Sequence, residues 1–257
     1  MSDSAPIATL GRPRGEYGYD GDYRVVPAPV VAGIYVLICL VPVVFAIVEA
    51  AGGRAVTAVV LGLVAVLLIA MGVSAIYCTR VGKFRVWAEV LSGLGLRGDE
   101  RVLDIGCGRG AVLLAVAKLL PRGRAVGVDL WRADQTGNGP EATRRNADIE
   151  GVADRMELHT GDMTRLPFDD DSFDLIVSSL AIHNVPGMPG RLAAVEEAAR
   201  VLCPGGRIAI ADIGFTKRYA ARLTELGLRD VRRRGLGPRA WWTGPWIATY
   251  LVTATKP

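Results

Sequence analysis

The segment Val102-Leu103-Asp104-Ile105-Gly106-Cys107-Gly108-Arg109-Gly110 constrains the fold of this chain more than any other. An apolar run broken by one aspartate reads as a buried strand, and three glycines alternating with other residues read as a tight turn. The alanine- and leucine-rich run from Ala111 to Leu120 reads as the helix that follows. Strand, glycine turn and helix together bring backbone N–H groups and a helix N-terminus up to a ligand, because glycine leaves no Cβ in the way. Asp104 stands just before the turn, where its carboxylate can face a cationic group. Gly127-Val128-Asp129 ends a second strand, and an acid at that place can accept from a ribose diol. The glycine spacing is G-x-G-x-G, which departs from the G-x-G-x-x-G of dinucleotide binders.

Further segments follow in a telling order. They are Gly161-Asp162-Met163 with Leu166-Pro167-Phe168, the strand-like Phe173 to Ser179, the turn Arg200 to Arg207 with Cys203-Pro204-Gly205-Gly206, and the strand-like Ile208 to Asp212. With the glycine turn they resemble class I S-adenosylmethionine-dependent methyltransferases, over roughly residues 80–257. The likeness is nearest to the small-molecule group that includes quinone and sterol enzymes. The resemblance implies an α/β fold: a doubly wound, mostly parallel, seven-stranded Rossmann-like sheet whose last strand is antiparallel and inserted between the fifth and sixth. It implies S-adenosylmethionine as cofactor, held by Asp104, Gly106, Cys107, Gly108, Gly110, Asp129, Leu130, Gly161, Asp162, Met163 and Ser178. Within that set Asp104 faces the amino-acid part, Asp129 the ribose, and Leu130, Asp162 and Met163 the adenine. An S-adenosylmethionine-binding sensor and a nucleotide-dependent oxidoreductase are the alternatives. The glycine spacing and the Asp162-Met163 turn disfavour the oxidoreductase.

Hydrophobic residues make up 51% of the 257-residue chain, high for a purely soluble enzyme, and the excess is local. Neither Pro29 to Val48 nor Ala55 to Tyr77 contains a charge. Each is long enough to cross a hydrocarbon core of about 30 Å as a helix. The short linker from Glu49 to Arg54 makes the pair a tight hairpin, and Pro42 is expected to kink its first arm. Because the first span starts late and a second follows at once, a signal peptide is not expected. Arg12, Arg14 and Arg24 precede the hairpin, Arg80, Lys83 and Arg85 follow it, and Arg54 alone lies in the connecting turn. The positive-inside tendency therefore puts both termini and the catalytic domain in the cytoplasm. A hairpin buried in a soluble oligomer is the competing reading. The expected organisation is an irregular tail over 1–28, a transmembrane hairpin over 29–78, an amphipathic connector over 79–98 and the methyltransferase domain over 99–257.

The net charge of +4 does not argue for nucleic acid, and Arg232-Arg233-Arg234 reads as a solvated strand or loop. Cys39, Cys78, Cys107 and Cys203 form no C-x-x-C pair, so neither a zinc site nor a redox dithiol is indicated, and Cys203 is expected in a loop. The partners expected are a small-molecule acceptor and the lipid bilayer; no sequence feature assigns an oligomeric state.

Strands are expected near 101–105, 124–128, 156–160, 173–178, 207–212, 229–234 and 247–255. Helices are expected near 110–120, 140–150, 190–202 and 217–226. The segment Ser178 to Asn184 follows the fourth strand on the acceptor side, and its His183 is the candidate general base, because histidine titrates near neutral pH. The bland reading is that His183 merely orients a loop. His159, inside the third strand, reads as structural. Two loops are candidates for the acceptor pocket. Trp131 to Pro140 offers Asp134, Gln135 and Asn138, against a self-capped turn. The loop with Trp241, Trp242 and Trp246 either lines an apolar pocket, touches the membrane interface or packs on the core.

Overall fold

The computed structural model describes residues 10–18, 28–132 and 137–257. Two long helices lead: α1 (Ala28–Ala51) and α2 (Ala55–Tyr77). They form an antiparallel pair in which the Tyr35 hydroxyl donates to the Leu68 carbonyl. A Cβ on Gly72 would lie 2.5 Å from the Tyr35 ring, so that glycine makes room for it. Pro42 lies inside α1. The outer faces stay bare, with Leu37, Ile47, Leu63 and Val66 all more than 60% exposed.

The second arm does not stop where the apolar run ends. Its helix passes through a π-helical turn (Cys78–Gly82) straight into α3 (Lys83–Gly93), giving one rod from Ala55 to Gly93. At 1.5 Å per residue this is about 58 Å long. The expected connector is therefore a rigid continuation of the hairpin. Phe84, Trp87, Val90 and Leu91, at helical spacing, bury its inner face on the domain.

The remaining elements alternate as expected: β1 (Arg101–Ile105), α4 (Leu113–Lys118), β2 (Arg124–Asp129), α5 (Pro140–Glu150), β3 (Met156–Thr160), β4 (Phe173–Ser179), α6 (Gly187–Val201), β5 (Leu202–Asp212), α7 (Thr216–Glu225), β6 (Arg229–Gly235) and β7 (Tyr250–Thr255). The sheet order is β3-β2-β1-β4-β5-β7-β6. β1 to β5 run parallel, and β7 is antiparallel to both of its neighbours. This is the doubly wound seven-stranded sheet that the resemblance implied. Alternate strand residues feed two cores. Val102, Leu175, Val177 and Ala209 face one side, where α3 and α4 lie. Leu103, Ile105, Ile176 and Ile208 face the other, with α6 and α7.

Several boundaries differ from expectation, among them α6, which begins at Gly187 rather than near 190. α4 begins only at Leu113, because Gly108 and Gly110 have positive φ and spend the first residues in turns. β5 starts at Leu202 and so takes Cys203 out of the loop where it was expected. β7 starts at Tyr250, because Pro245–Ile247 forms a short 3₁₀ turn. Residues 10–18 have no extended secondary structure, yet they are tied down. Glu150 Oε1 accepts from the backbone N–H of Arg14 (2.7 Å) and Gly15 (3.0 Å) and from the Tyr17 hydroxyl (3.0 Å). Asn146 pairs with both N–H and C=O of Glu16. Leu10 and Tyr17 are buried, the latter edge-on to Phe84.

Candidate active site

In an open parallel sheet the carboxyl ends of the strands leave a crevice where the strand order reverses, here beside β1 and β4. A cavity of about 790 Å³ lies there. It runs from the glycine turn after β1, past the ends of β2 and β3, to the residues that follow β4 and β5.

At one end Gly106 (φ +73°) lets the backbone turn so closely that an added Cβ would meet the Cβ of Ala181 at 2.3 Å. Its N–H donates to the Val128 carbonyl at 2.8 Å, locking the turn to β2. Asp104, 2% exposed, borders the cavity, and its Oδ1 has no hydrogen-bond partner among the described residues. Burial, with a smaller contribution from the charge of Asp129, lifts its carboxyl from the usual 3.8 to about 7, against the opposing N–H of Leu113. A buried carboxylate oxygen lacking a donor is the group that an ammonium would satisfy. Asp129 closes β2, its Oδ2 accepting from Gly108 N (2.9 Å) and its Oδ1 from Trp131 N (2.7 Å). Leu130, Asp162 and Met163 also line the cavity. Asp162 Oδ1 caps its own turn through Thr164 N and Oγ1, both at 2.8 Å. Cys107 lines the wall too, and burial together with the charges of Asp104 and Asp129 pushes its thiol well above the ordinary range.

Three of the residues expected at the cofactor stand off the cavity. Gly110 packs against Thr143 and Leu114, and Gly161 against Pro167 and Val128; both shape turns. Ser178 is 1% exposed and spends its hydroxyl on the Ile105 carbonyl at 2.8 Å. The alternation of β4 turns it inward, and Ser179 borders the cavity in its place. Asp134 and Gln135 lie outside the described residues. Asn138 does border the cavity. His159 stacks edge-on with Phe168, which suits its structural reading.

At the other end Leu180, with φ +54°, turns the chain out of β4 into a 3₁₀ turn (Ile182–Asn184). His183 lines the cavity there. Its Nδ1 lies 2.6 Å from Oδ1 of Asp212, and its backbone N–H donates to Oδ2 at 3.0 Å. Asp212, the fully buried last residue of β5, also accepts from Ile213 N. Arg191 donates to the His183 carbonyl. His183 is thus held at three points, two on its backbone and one at Nδ1, and Nε2 is the ring nitrogen left for a ligand. Asp212 was quoted from sequence only as a strand end; the rule that active groups gather at carboxyl ends of strands was the signal that could have singled it out. Tyr17 and Lys83, from the tail and α3, line the cavity as well, and nothing in their local sequence marks them. Of the tryptophan loop, Trp242 and Ile247 line the cavity, and Trp246 stands 58% exposed.

Residues 103–210 match the methyltransferase-domain family. The sheet has the fold of solved S-adenosylmethionine-dependent methyltransferases. The methyltransferase GfsG of Streptomyces halstedii is 37% identical over 129 residues, 50% of this chain and 43% of its own length. The ubiquinone/menaquinone biosynthesis C-methyltransferase UbiE of Dinoroseobacter shibae is 36% identical, over 54% of this chain and 55% of that protein. The chain therefore spans about half the length of the curated relatives it matches. Among solved structures, an S-adenosylmethionine-dependent methyltransferase from Aquifex aeolicus overlays with a TM-score of 0.53 at 20% identity, covering 66% of this chain and 89% of that one. The [4+2]-cyclase SpnF overlays with a TM-score of 0.54 at 19% identity, covering 68% and 82%. The methyltransferase sheet alone therefore does not name a reaction, and the chemistry must come from the site.

Proposed function

We propose that this chain transfers a methyl group from S-adenosylmethionine to a small apolar acceptor – a quinone, isoprenoid, lipid, phenol or thiol – from the cytoplasmic face of a membrane that α1 and α2 span. The observation that carries this reading is one continuous cavity with the unpartnered Asp104 carboxylate oxygen at one end and the His183–Asp212 pair at the other. S-adenosylmethionine, when bound, supplies the electrophilic methyl group. The chain's own residues do the rest. Asp104 holds the amine of the donor and Asp129 its ribose, with Leu130, Asp162 and Met163 around the adenine. Gly106 and Gly108 admit the donor against the backbone. His183 faces the acceptor. Because Asp212 takes the Nδ1–H, Nε2 is left with its lone pair and can accept the acceptor's proton as the methyl group arrives. Alignment of the two reactants supplies most of the acceleration.

Two findings favour an apolar acceptor. Curated relatives include quinone methyltransferases by name. The candidate spans are almost wholly uncovered, with only 11% and 6% of their most apolar stretches buried. The test is to incubate membranes containing the protein with methyl-labelled donor and a lipid extract. Label is expected in an organic-soluble product, and Asp129→Ala is expected to abolish donor binding. His183→Ala is expected to lower kcat by about 10²–10⁴-fold with donor affinity intact. Label found only in water-soluble products, or undiminished affinity in Asp129→Ala, would overturn the reading.

A further inference from the structure

The loop between β6 and β7 is fastened to the second candidate span. The Ser74 hydroxyl donates to the Trp241 carbonyl at 2.5 Å, and the Cys78 thiol reaches the same carbonyl at 3.1 Å and that of Arg239 at 3.4 Å. Gly82 lets the loop lie directly on the helix, since a Cβ there would be 2.0 Å from the Arg239 carbonyl oxygen. Arg239 also pairs with Glu89 on α3. The loop is closed on itself as well: Trp242 N donates to the Ile247 carbonyl at 3.0 Å, and the Trp242 indole to Thr249 Oγ1 at 3.0 Å.

These fastenings set a depth. A hydrocarbon core takes about 20 helical residues, so a span that begins at Ala55 leaves it close to Ser74. Trp241 is thereby held where hydrocarbon gives way to headgroups, and the exposed Arg80 and Arg85 follow at the level of lipid phosphates. The same loop is a wall of the acceptor end of the cavity, through Trp242 and Ile247, with Ile213 beside them. The rim there is apolar and partly exposed: Trp246 is 58% exposed, and Ile247 and, from the segment after β5, Ile213 are each just over a third exposed. An exposed indole at headgroup depth is the usual marker of a membrane interface.

We propose that the acceptor end of the cavity opens onto the bilayer surface through a portal edged by Ile213 and Ile247, with Trp246 beside them. The acceptor it admits is an amphiphile whose apolar tail stays along this edge in the lipid while its reactive head reaches His183. This inference rests on the membrane reading given above and adds to it the route and the shape of the substrate.

The test uses the full chain in phosphatidylcholine vesicles. Carbonate-resistant flotation reports on anchoring alone. Quenching of tryptophan fluorescence by lipids brominated near the headgroup reports on the portal. α1 and α2 contain no tryptophan, so the signal comes from the domain and α3. The wild type is expected to be quenched and Trp246→Phe to lose part of that quenching, the remainder coming from Trp241 at the same depth. With labelled donor, Trp246→Ser is expected to raise the apparent KM several-fold for a quinol bearing a long prenyl tail, and to leave a tail-free quinol unchanged. Flotation with equal quenching of wild type and Trp246→Phe overturns the portal while anchoring stands. Equal effects of Trp246→Ser on both quinols also overturn it. Failure to float removes anchoring and portal together. Turnover of neither quinol counts against quinone chemistry in the proposed function, and the quenching result then decides the portal.

Discussion

Asp104 is the residue on which the proposed donor end turns, because its carboxyl is buried, one of its oxygens has no hydrogen-bond donor and it is raised to about 7. The folded value lies above the unfolded one, so the carboxyl contributes stability below about pH 4 that is lost as pH rises through 7. Asp104→Asn should therefore raise the Tm of the donor-free protein at pH 8 and leave it unchanged at pH 4, as differential scanning calorimetry would register. Binding an ammonium favours the ionised form and expels the proton. Donor affinity in the wild type should accordingly strengthen from pH 6 to pH 8, approaching tenfold per unit below 7, while Asp104→Asn binds weakly with a flat profile. Titration calorimetry at three pH values checks both. A wild-type affinity independent of pH would show that Asp104 is already ionised without the donor.

At the scale of elements, α3 and the tail do what the sheet cannot. Trp87 donates its indole N–H to Ser179 Oγ at 2.9 Å, so the rod that leaves the hairpin forms part of the cavity's support. Gly82 is the point of closest approach between rod and loop. Gly82→Ala must displace backbone, and a cost of about 1–3 kcal/mol is expected from overpacking. The measurements are the Tm and protease sensitivity of the 237–249 loop, which should rise. The tail depends on α5. Glu150 is wholly buried and pairs with Lys118 at 2.7 Å. Burial alone would raise its carboxyl, but Lys118 and the N–H groups of Gly15 and Arg14 outweigh it and hold it below the ordinary 4.5. Its contribution is thus present at neutral pH and lost as pH falls through the acid range. Glu150→Gln should cost about 1–3 kcal/mol at pH 7. It should also expose Arg12 and Arg14 to trypsin; unchanged cleavage would mean that the tail is held otherwise.

For the whole molecule, the apolar faces of α1 and α2 decide the surroundings. Full burial of each large aliphatic side chain is worth about 1.5–3 kcal/mol, and more than twenty such residues on the two helices stand bare. Water is a poor solvent for that surface. The full chain is expected to sediment as monodisperse particles only with detergent or lipid, and to aggregate when detergent is removed. Monodisperse behaviour in plain buffer would point instead to a hairpin covered by other copies of the chain.

What the sequence determined by itself was local and periodic. The glycine turn after β1, the acids that close β1 and β2, the order of strands and helices, and the two uncharged runs all follow from residue type and spacing, because φ > 0, period-2 burial and bilayer thickness act on neighbouring residues. Tertiary structure decided what spacing cannot encode. It turned Ser178 inward and put Ser179 on the cavity, since the face of a strand depends on its register with its neighbours. It joined His183 to Asp212 across β4 and β5, and it folded Tyr17 onto Glu150 from the far end of the chain. It also made α2 and α3 one rod bolted to the tryptophan loop. Each of these pairs residues distant in sequence, and only the packing of the whole chain brings such residues within hydrogen-bonding reach.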